Sequence, residues 1–82
     1  MGDLKKEESK KIRRLQLMVD LTIQLLYQTE ALSMIEGMKY IQNAKNYAIK
    51  LFPDKGDTFD LIYKPRMMRV LRDRGLIVSS KN

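Results

Sequence analysis

The chain has 82 residues, enough for one domain with one core, because a chain of this size buries only about 60–65% of its unfolded surface. It contains neither Cys nor His, which excludes disulfides, thiol nucleophiles and thiolate metal sites and removes the commonest general base and metal ligand. Sixteen Lys+Arg against ten Asp+Glu leave a net charge of +6, a balance that favours acidic partners without choosing among them.

Met1-Gly2-Asp3-Leu4-Lys5-Lys6 has no apolar run behind its charges, so it is not a secretory signal. Lys6 stands where a myristoylation motif wants Ser or Thr. The first predicted helix covers about residues 4 to 29. Ile12, Leu15, Val19, Ile23 and Leu26 recur at spacings of three and four and line one face. Met18, Thr22 and Leu25 widen that face on one flank and Tyr27 on the other, while Leu17 and Leu21 lie nearly opposite. A helix apolar on two sides is usually buried on two sides. Its greasiest stretch is interrupted by Gln16, Asp20, Thr22 and Gln24, well short of the roughly 18 consecutive apolar residues of a membrane span. Residues 1–10, with little to bury, are expected to fray.

A break follows at Leu32-Ser33. Ser33 with Glu36 makes the capping-box pattern, which starts a second helix from Met34 to about Phe52. Its apolar face reads Met34, Gly37, Met38, Ile41, Ala44, Ala48, Leu51 and Phe52. The small residues Gly37, Ala44 and Ala48 flatten that face enough for a neighbouring helix to approach closely.

Pro53-Asp54-Lys55-Gly56 is a turn by composition. Beyond it, Phe59, Ile62 and Tyr63 point one way, whereas Met67, Val70 and Leu71 would point about 80–90° away on a continuous helix. Pro65 also disfavours helical geometry at Lys64. Two short helices are therefore expected, at 58–63 and 65–74, broken at Pro65, with Gly75 closing the second. Leu76-Ile77-Val78 is expected to pack back or form a brief strand, and 79–82 to be flexible. The fold class is all-α: a small single-domain bundle over 1–82, with helices 1 and 2 as an antiparallel hairpin and the two short helices packed across it.

Charge sits at the ends. Residues 1–14 hold six Lys/Arg against three acids, 15–56 hold four of each sign, and 57–82 hold six against three. Arg66, Arg69 and Arg72 recur every three residues and fan over about 120° of one helix face. With Lys64, and with Arg13 and Arg14 of the first helix, they are the candidate nucleic-acid contacts, because guanidinium forks bind phosphate bidentately; otherwise the stripe is a solvated face. Arg74 lies off the stripe, suited to complementing a helix C-terminus. Leu71-Arg72-Asp73-Arg74-Gly75-Leu76-Ile77 is similar to the junction between recognition helix and first wing strand in winged-helix proteins. That similarity covers seven residues, lacks a second strand, and assigns no family, since a Gly-closed helix is a general C-cap.

Asp54, Asp57 and Asp60 do not match the spacing of a Ca²⁺ loop and read as turn-shaping and helix-starting residues. No metal or cofactor is expected. The four Gly are isolated, so no phosphate-cradling loop exists, and no nucleophile has a base at a readable spacing. The expectation is a non-enzymatic, cytoplasmic module with no small-molecule substrate and no membrane attachment. It would act on a protein partner not identifiable from sequence, as a homodimer through Leu17 and Leu21 together with Ile12, Val19 and Ile23. Nucleic-acid binding through the basic face is the alternative.

Overall fold

The computed structural model describes residues 2–77, with side chains from Glu7 onward. Helix α1 spans Gly2–Gln28, and α2 spans Met34–Leu51. A single turn, α3 (Gly56–Thr58), leads into a π-helical turn over Phe59–Tyr63, and α4 runs Lys64–Asp73. Helices α1, α2 and α4 pack pairwise on one another, and no strand occurs among the described residues. The side chains of Glu7 to Lys10 are exposed.

Local chemistry sets each boundary. The Thr29 N–H and hydroxyl both bond the Leu25 carbonyl, at 3.0 and 2.7 Å, and close α1. Ser33 and Glu36 complete the capping box: the Glu36 N–H donates to Ser33 Oγ and the Ser33 N–H to Glu36 Oε1, both at 3.1 Å. Such a cap contributes about 1 kcal/mol. With only residues 29–33 between them, α1 and α2 fold back as an antiparallel pair, so Leu15 in the middle of α1 lines one cleft with Ala48 and Phe52 at the end of α2.

The core is built from Leu15, Val19, Leu26, Leu32, Ile41, Ala44, Ala48, Phe59, Met67, Val70 and Leu71. The flat face of α2 does what its small residues suggest. A Cβ on Gly37 would lie 2.6 Å from Leu71 Cδ2, so glycine is what lets the fully buried Leu71 rest on the α2 backbone. Thr22, the one buried polar residue among those described, donates its hydroxyl to the Met18 carbonyl at 2.8 Å.

The discontinuity expected at Pro65 is a change of hydrogen-bond register rather than a gap between two rods. Lys64 keeps helical angles (φ −59°, ψ −42°), but its N–H reaches back five residues to the Phe59 carbonyl. This widened turn holds one extra residue and sits where Pro65 has no N–H to continue an α ladder. The extra residue also absorbs the phase offset, so that Phe59 and Met67, Val70 and Leu71 all reach the same core. Tyr63 packs on Phe59 with ring centroids 5.9 Å apart. Ile62, expected beside them, is instead 52% exposed, because widening the turn swings it outward.

Gly75 (φ +74°) closes α4 with a Schellman pair: its own N–H bonds the Arg72 carbonyl, and the Leu76 N–H bonds the Leu71 carbonyl at 2.8 Å. Leu76 and Ile77 pack back, half-buried, against the core. Val78 and the stretch 79–82 lie outside the described residues.

Candidate functional site

Two surfaces carry the candidate residues. The first is on α1. Leu17 and Leu21 are 57% and 58% exposed, one helical turn apart, and Leu25 continues their row at 47%. With Arg14, Met18 and Thr22, Leu17 and Leu21 form one wall of a groove of about 360 Å³, and Tyr47 of α2 stands across it. Leu25, expected on the flank of the core face, falls at the margin because it lies about 100° from the Val19–Leu26 direction. The self-association set narrows accordingly. Val19 is 1% exposed and Ile23 half-buried, so both belong to the core of the single chain and are not available to a second one. Ile12, 47% exposed, turns away from the groove into a separate cleft of about 210 Å³ with Leu15, Ala48, Phe52, Lys55, Phe59 and Tyr63.

The second surface is on α4. Arg66, Arg69 and Arg72 are all exposed, and Lys64 before them is half-buried. Among the described residues the ion pair is Lys45 Nζ with Asp60 Oδ2 at 2.9 Å, which joins α2 to the π turn and involves none of these arginines. Asp73, the acid nearest the stripe, instead accepts from the Tyr27 hydroxyl at 3.2 Å.

Arg74 is engaged elsewhere. Its Nη1 donates to the Leu26 and Thr29 carbonyls, each at 2.6 Å, and its Nη2 to the Glu30 carbonyl at 3.2 Å. The Leu26 and Thr29 carbonyls are among the acceptors that the end of α1 leaves without helical donors, and Glu30 lies in the turn just beyond. The role expected of Arg74, complementing a helix C-terminus, is therefore right in kind, but the helix is α1 rather than its own. Sequence spacing carries no signal for a partner 48 residues away.

The other candidate cations separate. Arg14 borders the α1–α2 groove, whereas α4 lies on the flank of α1 that carries Tyr27, about 140° round the helix. Arg14 therefore does not join the arginine face; Arg13 is exposed on α1. Tyr47 opposite the Leu17–Leu21 wall was not singled out by sequence, since a lone Tyr on a polar helix flank gives no periodic signal.

Among the described residues no group of three acids could hold a metal ion. Asp60 is spent on Lys45, and Asp54 and Asp57 are exposed. The Asp60 Oδ1 atom is buried without a hydrogen-bond partner.

Fold and surfaces define a small all-α bundle with an apolar groove on α1, a second cleft beside Ile12 and an exposed arginine face on α4. Compared with protein-family models, curated proteins and solved structures, the chain matches none of them.

Proposed function

We propose that the chain is a non-catalytic helical interaction module that works as a homodimer, its α1 groove closed by a second copy. The supporting observation is an apolar row left uncovered. Leu17, Leu21 and Leu25 stand 57%, 58% and 47% exposed at successive turns of α1, and Tyr47 faces the first two across the groove.

Charge selects the orientation. The outward side of α1 is basic towards its start, with Lys10, Arg13 and Arg14, and neutral to acidic towards its end, with Asp20, Gln24 and Gln28. Antiparallel pairing sets the basic half of one helix against the acidic half of the other; parallel pairing would stack the arginines on themselves. A cytoplasmic setting belongs to this reading, in line with the lack of any helix, among the described residues, long and apolar enough to cross a membrane.

Sedimentation equilibrium across the micromolar range tests it. The expected result is a dimer that becomes a monomer in Leu17→Glu/Leu21→Glu, with the helical circular dichroism of the chain unchanged because both residues are exposed. A wild-type chain that stays monomeric into the hundreds of micromolar would overturn the reading.

A further inference from the structure

The arginine face is a different matter from the apolar groove, and its chemistry is more specific than net charge. Arginine and lysine are segregated along this chain. Between residues 15 and 65 every cation is Lys (39, 45, 50, 55, 64), and between 66 and 74 every cation is Arg (66, 69, 72, 74). Arg74 shows what the fork is used for inside the fold, since one guanidinium reaches three carbonyls. Arg66, Arg69 and Arg72 have no such use: they are exposed, and the described ion pair leaves them out. Like charges at neighbouring positions on a helix cost stability, by about 0.2–0.5 kcal/mol per pair. The face therefore carries a small internal penalty, and the one acid at its end, Asp73, is turned to Tyr27.

We infer that this face is a docking surface for the phosphate backbone of double-helical nucleic acid. The three forks stand on one rigid helix at intervals of about 4.5 Å along its axis, some 9 Å from first to last. A duplex offers a phosphate about every 3.4 Å per strand along its own axis, so the row can meet two or three of them. Guanidinium suits that target better than ammonium, because its planar fork meets two phosphate oxygens at once. Single strands are bound by stacking bases on aromatic rings, and no aromatic ring interrupts this row: the aromatic nearest in sequence, Tyr63, is packed on Phe59. Asn and Gln, the side chains that fork onto adenine, are missing from α4, which leaves its arginines phosphate and the guanine edge as targets. Phosphate contact is the mode common to every sequence, and it is the one the salt dependence reads. Nothing in this inference depends on self-association, because each chain carries its own face.

Binding of the full-length chain to mixed-sequence duplex DNA, measured by fluorescence anisotropy at several salt concentrations, tests it. The expected dissociation constant is roughly 1–100 μM at physiological salt, the range of non-specific binding. Each phosphate neutralised contributes about 0.9 to the slope of log affinity against log salt, so Arg66→Gln/Arg69→Gln/Arg72→Gln should lower that slope by about two to three units and weaken binding roughly a hundredfold. Arg14→Gln, on the far flank of α1, should leave the slope within about half a unit, less than one phosphate contact. Unchanged circular dichroism in the triple variant separates lost contacts from lost fold. Leu17→Glu/Leu21→Glu should bind with the same slope per chain, so a failure of dimerisation is read apart from a failure of this face. Four results would overturn the inference: affinity weaker than about 100 μM for the wild type, a slope that the triple variant does not change, tighter binding to a single strand of equal length, or equal binding to phosphatidylglycerol–phosphatidylcholine vesicles.

Discussion

Among single residues, Arg74 ties the most together. Its three donated bonds join the end of α4 to the end of α1, and the neighbouring Tyr27–Asp73 bond adds a second tie at the same place. Hydrogen bonds that involve a charged group are worth about 1.5–3 kcal/mol net. Arg74→Ala is therefore expected to cost about 2–3 kcal/mol in a urea melt, and Arg74→Lys most of that, because a compact ammonium cannot span three carbonyls. Arg69→Ala, five residues earlier and exposed, should stay within about 0.5 kcal/mol. Equal losses at the two positions would refute the division of labour among the arginines. The residue pair Gly37–Leu71 obeys the same logic from the steric side. Gly37→Val would push methyl groups into Leu71, and overpacking of this kind costs about 1–3 kcal/mol. In a double-mutant cycle with Leu71→Ala the two losses should be clearly less than additive, since the second change empties the space that the first needs.

Among elements, the π turn shows how a pattern can be legible while its cause is not. Apolar periodicity marked both rows, Phe59–Tyr63 and Met67–Leu71, and their mismatch of phase. A rod with a constant 100° per residue can reconcile two such rows only by breaking; a rod that takes one five-residue turn reconciles them without breaking. Propensity and periodicity do not distinguish these outcomes, because both begin from the same offset and the same missing N–H at Pro65. The consequence is testable by removing the extra residue. Leu61 is 78% exposed in the middle of the turn. Deleting it together with Pro65→Ala, which supplies the donor an α ladder needs, should restore ordinary α geometry with the core residues still in phase. The expected outcome is a cooperative melt within about 1 kcal/mol of wild type, since no core contact is lost and interior proline alone costs an α-helix about 3 kcal/mol. Deleting Asn43 from α2, where no turn is widened, should rotate Ala44 and Ala48 off the core by about 100° and abolish cooperative melting. The capping box and the Gly75 closure were readable in advance for the opposite reason: each is a local motif whose partners lie within a few residues. The small residues of α2 were readable as a flat face, but not Leu71 as the side chain that rests on it.

For the whole molecule, the two faces of α1 could be read in sequence as apolar on both sides, but not which side the chain itself would bury. That choice depends on where α4 lies, and α4 is placed by long-range ties, Arg74 to α1 and Leu71 to Gly37, that no periodicity reports. Once α4 takes the flank with Tyr27, Val19 is enclosed and Leu17 and Leu21 are left outside. The same placement divides the basic residues, leaving Arg14 beside the groove and the arginine row on the far helix. If the exposed row is covered by a second copy, folding and association are linked, since whatever binds only the folded state stabilises it by mass action. The midpoint of thermal unfolding should then rise with chain concentration, by a few degrees for each tenfold increase, given that about 1 kcal/mol moves a domain of this size by about 4–8 °C and the gain is shared between two chains. Leu17→Glu/Leu21→Glu should remove the dependence and bring the midpoint down to the low-concentration value of the wild type. Calorimetry over two decades of concentration measures both, and a midpoint independent of concentration in the wild type would show that the exposed leucine row of α1 stays in water.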